Sequence, residues 1–65
     1  MSYKIKKSMA ITSHLSDVQE MISFGEVRDA NLRINFVKML IHDERTEMTE
    51  DELNAVWREC LARYK

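Results

Sequence analysis

The chain has 65 residues, of which 45% are hydrophobic and 32% charged, with no proline, one glycine, one cysteine and a formal net charge of −1. That length allows a single domain hiding only about 60% of the surface its unfolded chain would expose, and neither a disulfide from the lone Cys60 nor a zinc held by a Cys/His cluster is open to it as a staple. The composition is that of a folded globule, the charge gives no overall attraction to nucleic acid, and no stretch approaches the roughly 20 apolar residues of a membrane span.

Residues 1–12 come first. Met1-Ser-Tyr-Lys-Ile-Lys-Lys carries positive charge but lacks the apolar run of roughly 7–15 residues that a signal peptide needs. A free thiol suits a reducing compartment, so a cytoplasmic location is expected. Tyr3-Lys4-Ile5-Lys6 alternates apolar and basic residues as a strand does. The segment reads as an extended arm, with a frayed tail as the other reading.

The near absence of turn formers favours a few long helices. The first is expected over residues 13–24. Ser13 or Ser16 can cap it, and Ser16-Asp17-Val18-Gln19 has the spacing of a capping box. Leu15, Val18, Met21, Ile22 and Phe24 are expected to face inward, and with Ile11 the apolar steps alternate four and three, a short heptad-like seam. Gly25 fits the position just past the helix end.

The second helix is expected over 29–43, capped by Asp29. Ala30, Ile34, Val37 and Ile41 form one apolar stripe, extended by Val27. Phe36 and Leu40 form a second, with Leu32 and Met39 further round. Only the wedge of Arg28, Asn31, Asn35, Lys38 and His42 is continuously polar. A helix apolar over so much of its circumference is buried on several sides, and a chain of this size has two other helices to cover it. The third helix is expected over 49–64 after a short polar connection. Thr49-Glu50-Asp51-Glu52 is a capping box, with Met48 and Leu53 placed for a hydrophobic staple. Leu53, Val56, Trp57, Cys60, Leu61 and Tyr64 occupy an arc of about 140°, one buried face.

Residues that could carry chemistry have plainer explanations. His42 stands beside Asp43 and Glu44, but adjacent helix positions do not converge on one ion. Neither His14 nor His42 belongs to an HExxH pair. Cys60 lies near the C-terminal end of its helix, away from the N-terminus or basic neighbours that activate a thiol, and reads as a core residue. The acids from Glu47 to Glu52 lack the spacing and glycine of a calcium loop. Gly25 stands alone, so there is no phosphate-cradling loop. No catalytic, cofactor-binding or metal-binding residues are expected. Met9, Met21, Met39 and Met48 read as core filling, and Trp57 and Tyr64 as core anchors or interface residues.

Two DNA-binding layouts can be tried on three helices. For helix-turn-helix, aligning Gly25 with the turn puts Glu20, Glu26 and Asn31 where apolar residues are needed, and the register fails. A ribbon-helix-helix dimer fits the order of elements better and makes Lys4, Lys6 and Lys7 candidate nucleic-acid contacts, although a spacer and a third helix have to be accommodated.

These readings give an all-α fold: a small three-helix domain with an extended N-terminal arm, forming a homodimer. The dimer interface is expected on Leu32, Phe36, Met39 and Leu40, each contributing roughly 1.5–3 kcal/mol if buried there. Covering by Tyr3, Ile5 and Met9 of the arm is the alternative. The expected function is a non-enzymatic protein-interaction module, with a dimeric DNA-binding regulator as the competing reading.

Overall fold

The computed structural model describes residues 3–64. The chain runs β1 (Lys4–Lys6), α1 (Lys7–Ser23), α2 (Val27–His42), β2 (Glu47–Thr49) and α3 (Glu50–Tyr64). The expected three helices are present. The all-α description is corrected by a small antiparallel sheet, in which Lys4, Ile5 and Lys6 stand opposite Thr49, Met48 and Glu47. Met48 is wholly buried and Ile5 half-buried, so the pairing turns one apolar residue of each strand inward, as a two-residue period requires.

The first helix departs most from expectation. It begins at Lys7 rather than residue 13, so half of the expected arm is helix, and the arm's first two residues lie outside the described ones. No glycine or proline interrupts Lys7–Ser16, and Ala10 buries one turn ahead of His14. Ser13 and Ser16 therefore sit inside the helix and cap nothing. The Lys6 N-cap makes no side-chain bond. The Lys7 N–H donates instead to the Thr46 carbonyl at 2.9 Å, so the unpaired donors of the first turn are met partly from the approach to β2.

α1 ends as its sequence suggests. Glu26 N–H donates to the Met21 carbonyl at 2.8 Å and Gly25 N–H to that of Ile22 at 3.0 Å, the two bonds of a Schellman motif. Gly25 has φ 77°, a conformation where a side chain is strained. The hairpin turn is so tight that α2 starts at Val27, two residues before the expected point, and Asp29 becomes a first-turn acid that complements the helix dipole.

At α3 the capping box forms as read. Thr49 N–H donates to Glu52 Oε1 at 2.8 Å, and Glu52 N–H to Thr49 Oγ1 at 3.2 Å. Arg45 holds the same region, bonding Asp43 and, at 2.9 Å, Glu52 Oε2. These bonds hold both carboxyls below their ordinary values. Thr49→Ala is expected to lower stability by about 0.5–2 kcal/mol, read as a lower urea midpoint; Thr49→Ser should keep most of it.

The core gathers Phe36 and Leu40 of α2, Met48 of β2, and Val56 and Cys60 of α3, with Ile11, Leu32, Met39, Leu53 and Trp57 packed around them. The radius of gyration is 11.9 Å, somewhat above the roughly 10.7 Å of a typical globule of this length. α3 packs on one side of the α1–α2 hairpin, and the other side is left open.

Candidate functional site: the open face of the α1–α2 hairpin

α1 and α2 meet along small residues. Ala10 and Val18 on α1 and Ala30 and Val37 on α2 are buried yet stand apart from the core around α3. The register is marked by His14 meeting Phe36 edge-on and Asp17 pairing with Arg33. It sets Ile22, Leu15 and Ser8 within about one residue, ~1.5 Å, of the levels of Val27, Ile34 and Ile41. At 100° per residue, Leu15 and Ile22 lie within about 20° of each other on α1, and Val27, Ile34 and Ile41 within about 40° on α2. These two rows flank the seam on the side away from α3. Leu15 is 46% exposed, Ile22 56%, Val27 58% and Ile41 57%; Ile34 is half-buried.

Charge is nearly absent around this face. Between Ser8 and Ser23 the only charged residues are Asp17 and Glu20, in a chain that is 32% charged. Asp17 points the other way, to Arg33 at 3.3 Å. Serine, threonine and glutamine fill the α1 flank. The α2 flank carries Lys38, which is in no ion pair among the described residues. Exposed helices ordinarily intersperse charges of both signs, whereas charge depletion marks the buried centre of a protein interface.

The structure puts the four expected interface residues elsewhere. Phe36 is 2% exposed and Leu40 0%, and Leu32 and Met39 pack half-buried against the same core. As the chain stands, Phe36 and Leu40 present nothing to a partner. The apolar excess of α2 is real, but its larger stripe is covered by α1, β2 and α3. Of the other stripe, Ala30 and Val37 are buried and Ile34 half-buried, and only its outer edge at Val27 and Ile41 is left in water. The alternative cover from Tyr3 and Met9 is not used, since both are exposed; Ile5 alone turns inward.

The candidate nucleic-acid contacts lie on β1 and at the start of α1. Lys4 and Lys6 are exposed on β1, with Glu47 opposite Lys6. The Lys7 ammonium donates to the Asp43 carbonyl. One edge of β1 is occupied by β2 of the same chain.

Sequence reasoning passed over a part-buried polar group beside the core. Arg33 donates to His14 Nδ1 at 2.9 Å and to Asp17 Oδ2 at 3.3 Å, and its guanidinium lies 5.2 Å from the Trp57 ring centroid. The His14 and Trp57 rings each meet Phe36 edge-on, at 4.8 and 5.2 Å. Accepting from Arg33 requires Nδ1 to be bare. Burial and the Arg33 charge hold the imidazole below its ordinary value of 6.5, against a smaller opposing pull from Asp17. In the sequence the group's only mark is a cation, Arg33, standing between the apolar Leu32 and Ile34. Because folding favours the neutral ring, the unfolded chain binds more protons, and this contribution to stability is full above pH 6.5 and declines as pH falls below it. The urea midpoint should drop between about pH 7 and 5.5, and His14→Gln should remove that slope.

Cys60 is buried, and its thiol, held above its ordinary value by desolvation, points to the Leu32 carbonyl at 3.7 Å. That is a core cysteine's environment. Among the described residues, no helix is long and apolar enough to cross a membrane. Compared with protein families, curated proteins and solved structures, the chain matches none.

Proposed function

We propose that the chain is a protein-interaction module that docks a helical partner, a larger protein or a second copy, on the open face of its α1–α2 hairpin. The observation that carries this reading is the row of exposed Leu15, Ile22, Val27 and Ile41 on a surface almost free of charge. Scattered apolar residues on a surface need no explanation, but a contiguous patch does. Two helices of about 25 Å, lying 8–10 Å apart, present a face of roughly 450–500 Å² in projection. The chemistry of such a face is adhesion of another apolar helix surface.

The test is photo-cross-linking in the native cell from a probe at position 22, on the face, and from one at Arg58, exposed on α3. Adducts heavier than the chain from position 22 and absent from position 58 are expected. Equal yields from both positions, or none from position 22, contradict the reading.

A further inference from the structure

We propose that the occupant of the open face is a second copy of the chain, related by a two-fold axis parallel to the helices, so that two α1–α2 hairpins close into an antiparallel four-helix bundle. The inference rests on the interaction reading above and names its partner.

The arrangement of the rows supports it first. Rotation about an axis along the helices keeps each residue at its own height and exchanges left for right. α1 of one copy then faces α2 of the other. Ile22, Leu15 and Ser8 already stand within about one residue of the levels of Val27, Ile34 and Ile41 in one chain, so each level closes into a layer of four. Two of the three layers are wholly apolar, and the third combines Ile41 with small Ser8. Layers recur every seven residues, about 10.5 Å, the repeat by which helix bundles interlock. The alternative two-fold, across the helices, sets the Ile22 and Val27 level over the Ser8 and Ile41 level and breaks this match.

Charge supports the same axis. In an isologous contact one patch meets itself, so any single-sign charge at its centre meets its own kind. The centre here holds none. Lys38 lies on the outer flank of α2, where the parallel axis sets it over the uncharged flank of α1. The transverse axis gathers the cations of both copies along one edge. An acidic helix from another protein would find a cation on only one of the two flanks.

Area supports it third. Each copy offers roughly 450–500 Å² in projection, so two copies bury about 1,000 Å², or more once the relief of the side chains is counted. That reaches the lower bound for a specific interface and fits a dimer that exchanges with monomer.

The experiment is charge-swap mixing, read by light scattering at high micromolar concentration, with far-UV circular dichroism as the check on folding. Leu15→Glu and Ile34→Lys chains are each expected to have the mass of one chain, 7.7 kDa, while the parent has twice that. Mixing the two variants is expected to restore the double mass, because position 15 of one copy faces position 34 of the other. Where either variant loses its helical signal, Ile22→Glu with Val27→Lys, both at positions more than half exposed, makes the same comparison. A mixture that stays at the single mass, or single variants that keep the double mass, overturns the proposal. Such a failure is distinct from failure of the interaction reading, since adducts from position 22 to a different protein would leave that reading standing.

Discussion

Phe36→Ala is expected to leave most of the chain unfolded at 25 °C. The ring is 2% exposed and makes edge-to-face contacts with both His14 and Trp57, so it joins α1, α2 and α3. Truncating a buried phenylalanine costs about 3–5 kcal/mol. A domain of this length, without disulfide or metal, rarely has more than about 3–5 kcal/mol in total. Loss of the helical circular dichroism signal, or of a cooperative urea transition, is the expected readout. A variant with a urea midpoint close to the parent's would show that the ring is not at the centre of the fold.

Met48→Ala is the second large effect. Met48 is 0% exposed and is the inward residue of β2. Removing its side chain should cost about 2–5 kcal/mol, whereas Met48→Leu keeps the volume and should cost less than about 1.5 kcal/mol. Because Met48 stands opposite Ile5, the alanine variant should also free β1. Amide exchange at Lys4–Lys6, and at Lys7, whose N–H bonds to the Thr46 carbonyl, should then speed up. A loss within about 0.5 kcal/mol, typical of surface substitutions, would contradict the buried position of β2.

What the sequence disclosed and what it hid divide along physical lines. Some features set by neighbours within four residues were legible, although the Ser16 capping box and the Asp29 cap were overridden by where α1 and α2 begin. Thr49 and Glu52 cap each other, Gly25 takes the left-handed conformation that ends α1, and Cys60 is a core residue on the apolar arc of α3. Features set by distant parts of the chain were not. α1 begins at Lys7 because Ala10 finds a place against the rest of the fold and the Thr46 carbonyl meets the Lys7 N–H, and neither is visible in residues 7–16. The sheet needed Ile5 and Met48, more than 40 residues apart, to be seen as partners. The open face lay between these extremes. Both apolar stripes of α2 were evident from their spacing, and so was the heptad-like run on α1, but one-dimensional periodicity does not tell which stripe the remaining elements cover. The larger side chains decide it. Phe36, Leu40, Leu32 and Met39 bury more surface against Leu53, Trp57 and Met48 than Val27, Ile34 and Ile41 could, so α3 and β2 settle there and the outer edge of the other stripe is left outside.

The consequence for function is that the surplus apolar surface has moved to the α1–α2 hairpin rather than disappeared. On the proposed reading a partner is held there by apolar contact and not by ion pairing, so salt should not disperse the complex as it would one held by exposed charges.

Sedimentation equilibrium of the unaltered chain, over a dilution series from millimolar to low micromolar and repeated in 1 M salt, tests this most directly. The expected result is a mass that falls from twice 7.7 kDa toward a single chain on dilution, with no loss of the dimer in high salt. A mass of 7.7 kDa at every concentration would contradict self-association through the open face.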